Sequence, residues 1–233
     1  MKVRTAVSMM VAGLLCLGGA SALAQEKPTV AIPNAGVPEI MTIEGTFVRA
    51  AYNNEGYVIL GYEASNRSLG EPWMLLDVGM TVMSRVPNYK LERGALSLST
   101  PDGATVPLPS IEEFRKANTM AIQNRAKVQR DSINYFPPSA SRACAIVFFP
   151  DLTNRAMPRD DVELTPTRAC VGRLFFPIPG GIKHGQYFLN VKFAKSVVRV
   201  PFRILTEDEE KLLTKNYKDI KKQVQEAFSP KKK

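Results

Sequence analysis

Three kinds of residue in this chain could do chemistry: its few cysteines, its single histidine and a scatter of carboxylates. The sequence holds three cysteines and one histidine. Cys16 lies in an N-terminal apolar run, which leaves Cys144 and Cys170 as an even pair. They form no CxxC motif, and neither opens an evident helix that would depress its thiol pKa, so a structural disulfide is expected in place of a redox centre. His184 stands in Gly180-Gly181-Ile182-Lys183-His184-Gly185. No local nucleophile or carboxylate motif accompanies it, and a general base needs such a partner. One histidine and a bonded cysteine pair leave little for zinc, and neither GxSxG nor HExxH occurs. No catalytic residue, metal site or cofactor is assigned on these grounds.

Carboxylates are less restrictive. A glycosidase-type hydrolase needs only two of them across a cleft, and Glu44, Glu63, Glu71 and Asp77 are the residues from which such a pair would come. Asp151, Asp160, Asp161 and Glu163 fall between the cysteines but do not follow the DxDxDG alternation of a calcium loop. Arg155, Arg159 and Arg168 stand among them, so a solvated loop is expected. Asn66-Arg67-Ser68 matches the short N-glycosylation triplet.

The elements that position these residues read as strands. Each cysteine leads an aromatic-rich segment, CAIVFFP and CVGRLFFP, closed by Pro150 and Pro177. Such apolar runs are expected to be buried strands with both faces covered. Residues 41–51 read as one strand and 57–64 as another, joined by the Asn53-Asn54-Glu55-Gly56 turn. Trp73 opens a further apolar run and is expected to anchor the core. Thr100-Pro101-Asp102-Gly103 marks a hairpin, and residues 187–193 and 197–205 form a ribbon. The period changes at Ser110-Ile111-Glu112-Glu113, a capping box that predicts one helix over about 111–130.

Both ends of the chain differ from its middle. Two basic residues in 1–4, an uncharged apolar run and Ala22-Leu23-Ala24 predict a signal peptide over 1–24, cleaved before Gln25. The apolar run is too short to span a bilayer, so no transmembrane anchor is expected after cleavage. Residues 25–40, with prolines at 28, 33 and 38, form an extended lead-in. At the other end, Thr206-Glu207-Asp208-Glu209 caps an amphipathic helix over 206–229, and Leu213, Tyr217, Ile220, Val224 and Phe228 recur on one face. A basic tail, 230–233, closes the chain.

The expected fold is mainly β: a single antiparallel β-sandwich over 41–205, immunoglobulin-like in the loose sense, with one inserted helix and the C-terminal amphipathic helix. Loss of Lys2 and Arg4 with the signal lowers the formal charge from +9 to +7. A moderately basic, exported chain, periplasmic or secreted, meets anionic partners but not nucleic acid. The function expected is a non-enzymatic interaction or binding module of the cell envelope or extracellular space. Its partner would be a protein or an anionic envelope component, taken on a strand edge, the loops or the five-residue helical stripe, with peripheral membrane contact left open. The alternative is a carboxylate-dependent hydrolase of an envelope or extracellular polymer. Truncation after Leu205 is expected to leave the β domain folded and to remove partner binding.

Overall fold

The computed structural model describes residues 40–129, 131–150 and 157–228. The signal peptide, the lead-in up to residue 39 and the basic tail lie outside the described residues. The rest is mainly β, with several sheets and a few helices around a main core.

The largest sheet has six strands in the order β1-β2-β3-β4-β10-β8. A meander of β1 (Ile40–Gly45), β2 (Val48–Tyr52), β3 (Gly56–Gly61) and β4 (Trp73–Val82) builds one half. Strand β10 (Arg168–Pro177) pairs antiparallel with β4, and β8 (Arg142–Ile146) pairs parallel with β10. The expectation of a wholly antiparallel sheet is therefore corrected. No hairpin joins β8 to β10, because β9 (Asp161–Leu164) lies between them and pairs with β5 (Tyr89–Glu92) as a separate ribbon; parallel neighbours require such a crossover.

Strand β4 lies inside the sheet and buries every residue after Trp73, as an apolar strand covered on both faces does. A four-stranded antiparallel sheet, β12-β11-β6-β7, comprises β6 (Leu96–Ser99), β7 (Thr105–Pro107), β11 (Gly185–Lys192) and β12 (Val197–Ile204). Tyr187, Leu189 and Val191 alternate inward from β11 and meet Val198, Val200 and Phe202 of β12, so period-2 patterning fixes which face is buried. Phe202 reaches Tyr62 with ring centroids 5.1 Å apart, and residues of all three sheets share one apolar cluster.

The inserted helix is two short ones, α2 (Ile111–Lys116) and α3 (Met120–Val128), not one over 111–130. Ala117 is extended, and Asn118-Thr119 favour side-chain hydrogen bonds over helix interior; Thr119 accepts from Gln123 at 2.7 Å. Phe114 of α2 drops into an aromatic nest of Trp73, Phe149 and Phe175. The last helix also divides, into α4 (Glu207–Lys215) and α5 (Tyr217–Phe228), at Asn216, whose side chain donates to Leu212 O at 3.1 Å. A single helical turn, α1 (Glu63–Asn66), replaces the end of the strand expected over 57–64. Asn66 is buried and accepts the Leu205 N–H at 2.7 Å, so the glycosylation triplet has a structural use in the folded chain.

The cysteine segments are unequal. Strand β10 carries Leu174, Phe175 and Phe176 into the core, whereas β8 ends at Ile146 and leaves Arg142, Ala143 and Ala145 exposed. The apolar weight of CAIVFFP falls after the strand, at Phe148 and Phe149. Its first half buries one large side chain, Ile146, and leaves Ala145 exposed.

Candidate functional site

The six-stranded sheet has two edges, and they are treated differently. At the β1 edge, α5 closes the sheet. Tyr217 donates its hydroxyl to Ile43 O at 3.3 Å, and Lys221 pairs with Glu44 at 3.0 Å. Leu213, Ile220, Val224 and Phe228 are buried in the cluster that holds Met41 and Ile43, and Tyr217 packs against it. The stripe, which the sequence left open to packing on the domain itself, a partner or an anionic membrane surface, covers the protein's own edge, because an apolar stripe takes the nearest apolar surface. Nor is the rest of this region basic. Residues 207–228 hold six carboxylates and five lysines.

Among the described residues the β8 edge is open. Arg142 donates its N–H to Thr167 O at 2.9 Å, on the β10 side. Main-chain groups alternate along a strand, so those of Cys144 and Ile146 also face β10, while those of Ala143 and Ala145 face away. Among the described residues no strand pairs with that outer edge. Unpaired N–H and C=O groups along an edge are a template for another strand, and natural edges are usually blunted by lysine, proline or a bulge. Here only Arg142 guards two exposed alanines.

Two features hold this strand in place. Cys144 and Cys170 face each other in register, 4.1 Å apart at Cα, and are joined by the disulfide. Two residues on, Gly172 faces Ile146, and a Cβ at Gly172 would lie 2.3 Å from Ile146 O. Backbone cannot yield as a flexible side chain does. Gly172→Ala is therefore expected to push Ile146 off β10 and release the end of β8, read as accelerated amide exchange at Cys144 and Ile146 with β4 unchanged.

Beside the edge lies a pocket. Residues 131–141 cross the sheet's outer face as an irregular strap, with Ile133 and Phe136 on Val48, Ala50 and Ile59. Glycines make room for it: a Cβ at Gly61 would meet Asp131 at 2.8 Å, and one at Gly79 would meet Phe136 at 2.7 Å. Between strap and strands is a cavity of about 660 Å³, walled by Asp131, Ile133 and Phe136 and floored by Ala143, Ala169 and Val171. It is largely apolar with a few polar groups, the usual make-up of a binding pocket.

Asp131 is the unusual group there. Its carboxylate accepts the Glu63 N–H at 2.8 Å. Burial pushes its pKa up to about 6; that hydrogen bond opposes the rise, and the nearby Glu63 and Asp77 carboxylates add to it. An acid whose folded pKa lies above its unfolded value binds its proton more readily when folded. Stability should therefore rise as pH falls from about 6 toward the ordinary value of 3.8. Asp131→Asn keeps an acceptor for Glu63 N–H and removes the titration. Denaturant melts from pH 7 to pH 4 should show wild type gaining on the variant; parallel curves would contradict this.

The four carboxylates singled out in the sequence divide accordingly. Glu63 and Asp77 act electrostatically on Asp131, which sequence reasoning missed; Asp77 is itself held by Arg173 at 3.2 Å. Glu44 is taken by Lys221, and Glu71 lies 4.0 Å from Arg125. His184 is exposed at the turn before β11. Among the described residues no group of three or more His, Cys, Asp or Glu is placed to hold a metal ion, and no helix is long and apolar enough to cross a membrane. No protein-family model, curated protein or solved structure matches this chain.

Proposed function

We propose that this chain is an exported, non-enzymatic interaction module that accepts an extended segment of a partner protein as an added strand on β8. The observation that carries the reading is the open edge at Ala143 and Ala145 beside the strap pocket. Strand addition draws affinity from main-chain hydrogen bonds and specificity from pockets for alternate side chains, and both lie together here. The disulfide fits an oxidising compartment, periplasmic or extracellular. The two larger sheets are read as the faces of one β-sandwich, supported by the packing of β12 on β2 and β3.

Panning a displayed library of random linear peptides tests this. Peptides rich in β-branched residues should be enriched on wild type and lose at least tenfold in affinity for Ala145→Pro, which removes an outward N–H without touching the β10 ladder. Enriched peptides that bind both forms equally would sink the proposal.

The alternative, a carboxylate-dependent hydrolase, is favoured by one observation, the raised carboxyl of Asp131 near Glu63 and Asp77 at the pocket. Under that reading, Asp131→Asn abolishes release of reducing ends from an envelope polysaccharide. Under the first it leaves peptide capture intact.

A further inference from the structure

We infer that the segment which fits the β8 edge is residues 29–32 of a second copy of this chain. This rests on the docking edge proposed above and names its occupant. The edge asks for a short extended piece, apolar on one face and unable to propagate pairing further. Thr29-Val30-Ala31-Ile32 lies between Pro28 and Pro33. Three of its four residues are β-branched, which suits a strand, and proline at either end limits the ladder to those four. With side chains alternating, Val30 and Ile32 share a face. Laid along β8 on the pocket side, they cover the alanine floor, where a cavity of about 660 Å³ has room for both side chains.

Reach decides between the chain's own segment and a neighbour's. Strand β1 begins at Ile40 on the opposite edge of the six-stranded sheet from β8. A strand added outside β8 lies six inter-strand spacings from β1, about 29 Å away. Eight residues from Ile32 to Ile40 extend at most about 26–29 Å. That leaves no slack, and the direct route over the outer face is held by the strap at Ile133 and Phe136, while the other face carries the four-stranded sheet. A second copy meets neither obstacle. Because donor and acceptor lie at opposite edges, the contact is head-to-tail, and it either closes into a ring or extends as a filament.

The test uses the chain from residue 25 to 233 and the same chain with Val30→Lys and Ile32→Lys, substitutions outside the described fold. By light scattering, the mass of the wild-type chain should grow with concentration, and the double variant should stay a monomer. The variant, its edge vacant, should bind a synthetic peptide of residues 27–34 in trans. The same peptide N-methylated along residues 29–32 should bind at least tenfold more weakly. A wild-type chain that is monomeric at every concentration overturns the inference, including the case in which its own segment covers the edge. Equal binding of the methylated peptide overturns it as well. If the 27–34 peptide fails while library peptides still distinguish wild type from Ala145→Pro, the inference falls and the docking edge stands. If Ala145→Pro also makes no difference, both fall.

Discussion

Truncation after Leu205 is expected to abolish the cooperative melt of this protein, not to leave a folded β domain behind. Sequence periodicity alone favoured survival of the domain, because the helix looks separable. In the structure the segment removed carries Leu213, Ile220, Val224 and Phe228 out of the core. Burial of each such side chain contributes about 1.5–3 kcal/mol, together about 6–12 kcal/mol as an upper figure. A domain of this kind is stable by only about 5–15 kcal/mol in total. Truncation also strips Glu209 from Arg203 and Glu210 from Arg67, and bares the β1 edge beside Met41 and Ile43. The point variant Val224→Asp should reproduce most of the loss. Lys218→Ala and Lys222→Ala, on the exposed side, should cost almost nothing. A sharp, cooperative thermal transition in the truncated protein would show that α4 and α5 are an appendage after all.

Loss of the disulfide is the second large effect. In the chain-entropy model, a loop closed over 26 positions is worth about 3.5 kcal/mol, which corresponds to a fall in Tm of roughly 10 °C for a chain of this size. The effect on binding should exceed the effect on the fold. Among the described residues strand β8 pairs with β10 alone, so the Cys144–Cys170 bond is the covalent tether of the edge beside that ladder. Cys144→Ala with Cys170→Ala should melt early but cooperatively, and should lose library-peptide capture at temperatures where circular dichroism still reports the wild-type sheet. Capture that survives at wild-type affinity would mean that β8 is ordered without its tether.

Much of this arrangement was legible in the sequence, and the misses have particular causes. The cysteine pair was readable because the cleavage expected before Gln25 would leave two thiols and so one pairing. Strand β10 was readable because Leu174, Phe175 and Phe176 are large enough to declare a buried strand. Strand β8 was not, since the same apolar content in CAIVFFP is carried by residues after Ile146. The hairpin between β1 and β2 was read as one strand because its turn, around Thr46 and Phe47, has none of the Asn, Asp or Pro chemistry that marks turns; Gly45, at a register shift, was the only cue. Asp131 looked like a loop residue. Its environment comes from strands far away in sequence, and the available signal was indirect: Gly61 and Gly79 inside strand patterns mark places where another segment comes close. The stripe on the last helix was read correctly as apolar, but periodicity cannot say which surface it covers.

The most direct test of the open edge is residue-resolved amide hydrogen exchange across β8, in dilute protein with and without a library-selected peptide. Ala143 and Ala145 should exchange fast in the free protein and become protected on binding, while Cys144 and Ile146, paired to β10, stay slow throughout. If Ala143 and Ala145 are already as slow as their neighbours, or do not respond to the bound peptide, the β8 edge is not where this protein receives a partner.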